Sequence, residues 1–236
     1  MNDDTTLDEI RLTSSEHELS ATVVSPRGAA ENQQGPGILF LHGMASDRRG
    51  YVARTRRAAA DLGATCLAVD LSGHGDSTGT LPDISPRQHL ADVVTAYDAL
   101  VRLPTVDPGR VGACGSSYGG FLAAMLTSRR QVARLLVRAP TIVADRYLDR
   151  PLRERERDRR PTSASAWRTA LSGYRGPVLV LESEHDEVIP RAVIEAYVAT
   201  APSASHRVLP GAAHALTNRQ WREAFGETIV RFFADL

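Results

Sequence analysis

Apolar residues fall along this chain in two alternating rhythms. Short, mostly apolar runs at Ile38-Leu39-Phe40-Leu41, Ala64–Val69, Arg110–Cys114, Leu135–Val137 and Val178–Leu181 have the length expected of strands buried on both faces. Between them the spacing changes. After Leu90, residues Val93, Val94, Tyr97, Leu100 and Val101 fall at +3, +4, +7, +10 and +11, one stripe of a helix. Further helices are predicted over 51–62, ending near Gly63, and over 118–128 and 191–199. A short strand at 206–209 precedes a closing helix that carries Trp221, Phe225, Ile229 and Phe232. Ahead of this series, residues 7–25 hold two β-like stretches around Ser14-Ser15-Glu16-His17, a hairpin signal, and a Gly/Asn/Gln/Pro-rich link follows at 28–37. Strands alternating with helices predict an α/β fold: a mostly parallel, twisted sheet of about eight strands with helices on both faces.

One stretch breaks the rhythm. Residues 140–176 carry no clean period, and 145–160 holds seven arginines and five acidic residues. A mixed-charge, solvated segment is one reading. The other is a short lid inserted above the carboxyl ends of the strands, because long irregular insertions in compact domains often cover sites. At 236 residues the chain is otherwise expected to form one domain, 1–236, with 140–176 as a small cap within it.

Charge narrows the chemistry. Lys+Arg and Asp+Glu both total 28, so no excess positive charge is available for a nucleic acid or an anionic membrane surface. Every basic residue is arginine; lysine is absent. Schiff-base chemistry, pyridoxal-phosphate anchoring, Walker-type phosphate binding and serine–lysine dyads are thereby excluded. Cys66 and Cys114 lie in apolar runs and read as small buried hydrophobes, too few for a disulfide framework or a zinc cluster. The acidic start Met1-Asn2-Asp3-Asp4 lacks the order of a signal peptide, and no apolar run approaches the ~18–20 residues of a membrane span. A cytoplasmic, soluble protein is expected.

Gly115-Ser116-Ser117-Tyr118-Gly119 fits the pattern G-x-S-x-G. The string alone is weak, but it follows a predicted strand and opens a predicted helix, the order a nucleophile elbow requires. The sharp turn lifts the central serine, Ser117, above the sheet, and glycines at either end relieve crowding because they lack Cβ. A serine nucleophile needs a base, and the base needs an orienting carboxylate. Of seven histidines, His214 in Gly211-Ala212-Ala213-His214 stands in the loop after the last short strand, where α/β sheets place their sites. Asp186 follows the Val178–Leu181 strand, with Glu184 as the alternative carboxylate. The chain order Ser117, Asp186, His214 is the order expected with this elbow. Developing negative charge would be met by the backbone N–H groups of Tyr118 and of Met44 in Leu41-His42-Gly43-Met44. His42 reads as a loop brace rather than a base.

With those segments in view, and with Asp70-Leu71-Ser72-Gly73-His74-Gly75-Asp76-Ser77 and Asp186-Glu187-Val188-Ile189-Pro190, the chain resembles a serine hydrolase of the α/β-hydrolase superfamily over nearly its whole length. Its Gly-x-Ser-Tyr-Gly-Gly form is similar to the prolyl-oligopeptidase-like and dienelactone-hydrolase-like branches. The resemblance implies a structural role for the Asp70–Ser77 turn, so His74 is not expected to be the base. The sequence departs from these relatives at Glu184, where they often carry glycine, and has a serine where dienelactone hydrolases proper have cysteine. It is too short to hold a propeller. The expectation is hydrolysis of short-chain or compact aromatic carboxylic esters through an acyl-Ser117 intermediate, without metal or organic cofactor. The expected partner is a small-molecule ester, with neither nucleic acid nor membrane. Peptidase, amidase, thioesterase or acyltransferase chemistry on the same three residues is the alternative. Oligomeric state has no signature in the chain.

Overall fold

The two opening stretches pair as the pattern predicts. In the computed structural model, which describes residues 4–28, 34–154 and 165–236, β1 (Thr5–Ser14) and β2 (His17–Pro26) run antiparallel with Ser14 opposite His17. Ser15 closes the turn in the left-handed region at φ 51°. The remaining strands are β3 (Gly35–Leu41), β4 (Thr65–Val69), β5 (Val106–Ser116), β6 (Arg134–Arg138), β7 (Val178–His185) and β8 (Ala204–Ala213). They form one eight-stranded sheet in the order β1-β2-β4-β3-β5-β6-β7-β8. β2 is antiparallel to β4, and every pairing from β4 through β8 is parallel.

Alternation along the central strands divides the core in two. In β3, Leu39 and Leu41 face one layer while Ile38 and Phe40 face the other, as a period of two requires. The first layer is built with α2 (Pro86–Val101), α3 (Tyr118–Leu126), α4 (Ala166–Gly173) and α5 (Arg191–Thr200). The second is closed by α1 (Val52–Leu62) and α6 (Arg219–Phe233), through Ala58, Ala59, Phe225 and Ile229. Both cysteines are fully buried in this second layer, and burial raises the pKa of each thiol, Cys114 to about 12. They are inert packing groups.

Several elements exceed the apolar runs that announced them. β5 and β8 reach well beyond the predicted 110–114 and 206–209, because backbone pairing continues where the side chains turn polar. Helix α2 begins at Pro86 rather than near Leu90: Ser85 and Gln88 cap each other's backbone N–H groups and Pro86 occupies the first turn. The insertion contains a helix, α4, that the pattern did not announce. Its register is fixed by Trp167, which stacks on Tyr197 of α5 at 4.5 Å between ring centroids, and by the Asp145 carboxylate, which accepts from the Ala166 N–H at 3.0 Å. Residues 155–164, which include the second part of the arginine-rich run 145–160, lie outside the described residues.

Candidate active site

β5 ends at Ser116 and α3 begins at Tyr118, so a single residue turns the chain from strand to helix. Ser117 makes that turn with φ 54° and ψ −116°, a backbone conformation that costs on the order of 1–3 kcal/mol for a residue with a Cβ. Its neighbours make the turn possible. A Cβ on Gly115 would sit 2.2 Å from the Gly119 carbonyl oxygen, and one on Gly119 would sit 2.3 Å from the carbonyl oxygen of Leu41. Gly119 therefore lets α3 lie directly on the end of β3. The Ser117 N–H donates to the Arg138 carbonyl at 2.9 Å, and the Ser117 carbonyl accepts from Thr141 at 3.1 Å, tying the elbow to the segment after β6.

The three residues read from the sequence meet just beyond the carboxyl ends of β5, β7 and β8. His214 Nε2 lies 3.1 Å from Ser117 Oγ, and His214 Nδ1 lies 2.8 Å from Asp186 Oδ2. Asp186 Oδ1 accepts from the N–H groups of Val188 and Ile189 at 2.9 and 2.8 Å, so the carboxylate is fixed from behind while it faces the ring. Burial pushes the Asp186 pKa up, but the hydrogen bonds from His214, Ile189 and Val188 outweigh it and hold the carboxyl below the usual range. An ionised Asp186 keeps the proton on His214 Nδ1 and leaves Nε2 as an acceptor toward Ser117. Glu184 is turned elsewhere: its carboxylate accepts from the Gly211 N–H at 2.6 Å and so pins the start of the His214 loop.

Met44 and Tyr118 both line a cavity of about 500 Å³ at Ser117, together with Leu81, Pro82, Thr141, Leu152, Arg153, Val188 and Ile189. The β3–α1 loop passes close to Ser117; a Cβ on Gly43 would stand 3.4 Å from Ser117 Cβ. That loop is anchored on both sides. His42 Nε2 accepts from the Leu71 N–H at 3.1 Å, which leaves Nδ1 to donate to the Gly43 carbonyl at 2.8 Å. Burial chiefly lowers the His42 pKa to about 4, so it is a neutral brace. On the far side, Arg48 is buried against Asp70, with Asp76 and Glu9 at 3.0 and 2.8 Å. The Asp70–Ser77 turn thus acts on the site through the loop that carries Met44. His74 sits between the rings of His42 and His89, tilted to both at centroid distances of 4.8 and 5.4 Å, and its ring contacts and hydrogen bonds are made there rather than with Ser117 or His214.

Part of the insertion reaches the cavity, through Leu152 and Arg153. Arg153 is ion-paired with Asp83, so its charge is already engaged; Arg155 and Arg157 lie outside the described residues. The sequence pattern did not single out Arg138 or Arg54, which line a second cavity beside Ser117. A charged residue closing the apolar β6 run Leu135-Leu136-Val137 was the available signal for Arg138.

Comparison with known proteins agrees with this architecture. The profile described as the alpha/beta hydrolase family matches residues 38–168, more than half of the chain. An uncharacterised protein of Mycobacterium tuberculosis is 30% identical over 186 residues, covering 76% of this chain and 63% of that protein. Among solved structures, Est1E from Butyrivibrio proteoclasticus with bound ferulic acid superimposes with a TM-score of 0.76 at 19% identity, covering 94% of this chain and 97% of that one. A bacterial heroin esterase gives 0.73 at 17% identity, covering 98% and 84%. The chain belongs to the alpha/beta hydrolase family. It spans slightly less than two thirds of its mycobacterial relative's length. No helix among the described residues is long and apolar enough to cross a membrane.

Proposed function

We propose that the protein is a serine hydrolase that cleaves carboxylic esters of short-chain or compact aromatic acids. The relay Ser117 Oγ–His214 Nε2–His214 Nδ1–Asp186, with contacts of 3.1 and 2.8 Å, carries the proposal. His214 takes the Ser117 proton as Oγ bonds to the ester carbon. The carbonyl oxygen becomes an oxyanion, received by the N–H groups of Met44 and Tyr118. Collapse breaks the carbon–oxygen bond to the leaving alcohol, to which His214 returns the proton. Water repeats the sequence on the acyl-serine, releasing the acid and restoring Ser117. No metal or organic cofactor enters any step.

Cavity size supports the substrate class. A space of about 500 Å³ lined by Met44, Leu81, Pro82, Val188 and Ile189 suits a compact apolar acyl group. A long chain needs continuous enclosure to benefit from ~0.8 kcal/mol per methylene, and Arg153 paired with Asp83 breaks the apolar lining. The described part of the insertion acts as a partial cover in this reading, with Leu152 and Arg153 as the contacts. The fold shared with Est1E, whose structure holds ferulic acid, makes aromatic acids a natural first choice. A panel of p-nitrophenyl esters, with matched thioester and anilide substrates, is the test. Turnover should peak at short or aromatic acyl groups and be slow on the anilide. Rates that climb steadily to the longest chain, or an anilide cleaved faster than its ester, would contradict the proposal.

A further inference from the structure

Two cavities meet at Ser117. A second space of about 400 Å³, which shares Met44 and Ser117 with the acyl cavity, opens between α1 and α6, lined among others by Tyr51, Arg54, Arg138, His214, Arg222 and Phe225. His214 lines this second space and does not line the first. The residue that protonates the leaving oxygen must face it, so the leaving group occupies the side where His214 stands.

Three guanidinium groups border that side, and none of the residues lining it is acidic. Arg138 is only 4% exposed. Its Nη2 donates to neutral acceptors alone: Ser183 Oγ at 2.9 Å, the Ala213 carbonyl at 3.1 Å and the His214 carbonyl at 2.5 Å. The Nε atoms of Arg138 and Arg54 are both buried without a hydrogen-bond partner among the described residues. Both guanidinium groups pack against one ring, Phe225, at 5.8 and 5.0 Å from its centroid. Arg222, at the rim, donates to the carbonyls of Leu216 and Thr217 at 3.3 and 2.6 Å. Asp186, whose charge acts on Arg138, is already committed to His214 and two backbone amides.

Arg48 shows how this protein treats a buried arginine elsewhere. It is 6% exposed and meets three carboxylates, those of Asp70, Asp76 and Glu9. Arg138 is buried as deeply and meets none within ion-pair distance among the described residues. A buried cation, Arg138, and a half-buried one beside it, Arg54, whose Nη1 donates only to the Gly50 carbonyl at 2.5 Å, each keep a free Nε donor and have no counter-ion among the described residues, a desolvation cost that an arriving anion would offset. Burial and the like charge of Arg54 both lower the Arg138 pKa, as expected of a cation that lacks a partner.

We propose that this cavity is an anion subsite. It receives a carboxylate or phosphate carried on the leaving-group half of the ester, held by Arg54 and Arg138 with Arg222 at the entrance. Guanidinium groups suit both anions because their paired N–H donors match two oxygens at once. The assignment of the subsite to the leaving group rests on Ser117 and His214 acting as nucleophile and base. Cleavage would then release an alcohol or phenol that bears the anion, while the neutral acyl group stays on Ser117 in the first cavity.

The test is equilibrium binding of three leaving-group probes to the wild-type chain: para-hydroxybenzoate, para-hydroxyphenyl phosphate and the neutral para-hydroxybenzamide. Turnover of the acetyl ester of the benzamide is measured alongside. At least one anion should bind about tenfold tighter than the amide, and the preferred anion identifies the group recognised. The preference should shrink as salt rises from about 0.05 to 0.5 M, a measurement that needs no variant. Arg54→Gln should reduce the ratio to within about threefold of unity, Arg54→Lys should restore part of it, and Arg222→Gln should lower it less. Equal binding of amide and anions to the wild type overturns the subsite, as does a ratio unmoved by both Arg54→Gln and Arg222→Gln. Equal binding with normal ester turnover would leave the hydrolase reading intact. Anion-selective binding without any turnover would instead remove the hydrolase reading and retain the anion site.

Discussion

His89 holds the hydroxyl of Tyr118, the residue that follows the proposed nucleophile. Its Nε2 lies 2.9 Å from the Ser72 carbonyl and therefore carries the proton, so Nδ1, 3.0 Å from Tyr118 Oη, accepts from the phenol. This bond requires a neutral imidazole, and the surroundings enforce one. Burial chiefly lowers the His89 pKa to about 3, as it lowers that of His42 to about 4.

These two depressed values predict an acid-sensitive fold. In the unfolded chain both histidines titrate near ~6.5. Below that pH the unfolded state binds protons that the native state refuses, so stability is complete above ~6.5 and falls as the pH drops toward the folded values of about 4 and about 3. Each histidine contributes a slope approaching ~1.4 kcal/mol per pH unit inside its window. Melting temperatures measured from neutral pH down to about 4.5 should fall steadily, and His89→Gln should flatten the profile by one proton's worth. An unchanged profile in His89→Gln would contradict the neutral, buried assignment.

Gly119 is predicted to tolerate no side chain. An alanine Cβ would meet the carbonyl oxygens of Leu41 and His42 at 2.3 and 2.5 Å, both backbone atoms that cannot swing aside. Gly119→Ala should lower stability by about 2–3 kcal/mol or more and displace the elbow from β3. Gly173→Ala, where a Cβ meets nothing within 4 Å, serves as the control and should be close to neutral. Denaturant unfolding of the two variants makes the comparison; similar midpoints would contradict the close packing.

Asp186 and Glu184 lie two residues apart and should behave differently. Asp186→Asn leaves a group that can still meet the ring but removes the charge that fixes the tautomer, so kcat should fall by about 10²–10⁴. Glu184→Gln removes a carboxylate bonded to the Gly211 N–H, not to His214, and should change kcat by less than about tenfold. If Glu184→Gln were the more damaging of the two, the acid has been assigned to the wrong carboxylate.

How much of this was legible in the chain depends on distance along it. The parallel sheet announced itself because each central strand is a continuous apolar run, as in Ile38–Leu41 and Val178–Leu181. Ser117, Asp186 and His214 were legible because each follows its own strand, in an order that this kind of elbow imposes. Helix α2 starts four residues ahead of its apolar stripe, at a point marked in the chain only by the capping pair Ser85 and Gln88. Helix α4 leaves no period in the chain because eight residues give too few turns for one to emerge; Trp167 packing on Tyr197 and the Asp145 cap of Ala166 define it. Arg138 and Arg54 are 84 positions apart in the chain, and nothing local to either foretells that they converge on Phe225. Burial of charge is a property of the assembled fold.

The central claim is that Ser117 is the nucleophile. Treatment with a fluorophosphonate, followed by peptide mapping, should place a single adduct on Ser117 and abolish ester turnover in proportion to labelling. Ser117→Ala should take no label and lose about 10³-fold or more in kcat/KM on p-nitrophenyl acetate while melting within a few degrees of the wild type. Full ester turnover in a folded Ser117→Ala protein, or an adduct on another residue that tracks the loss of activity, would contradict the account.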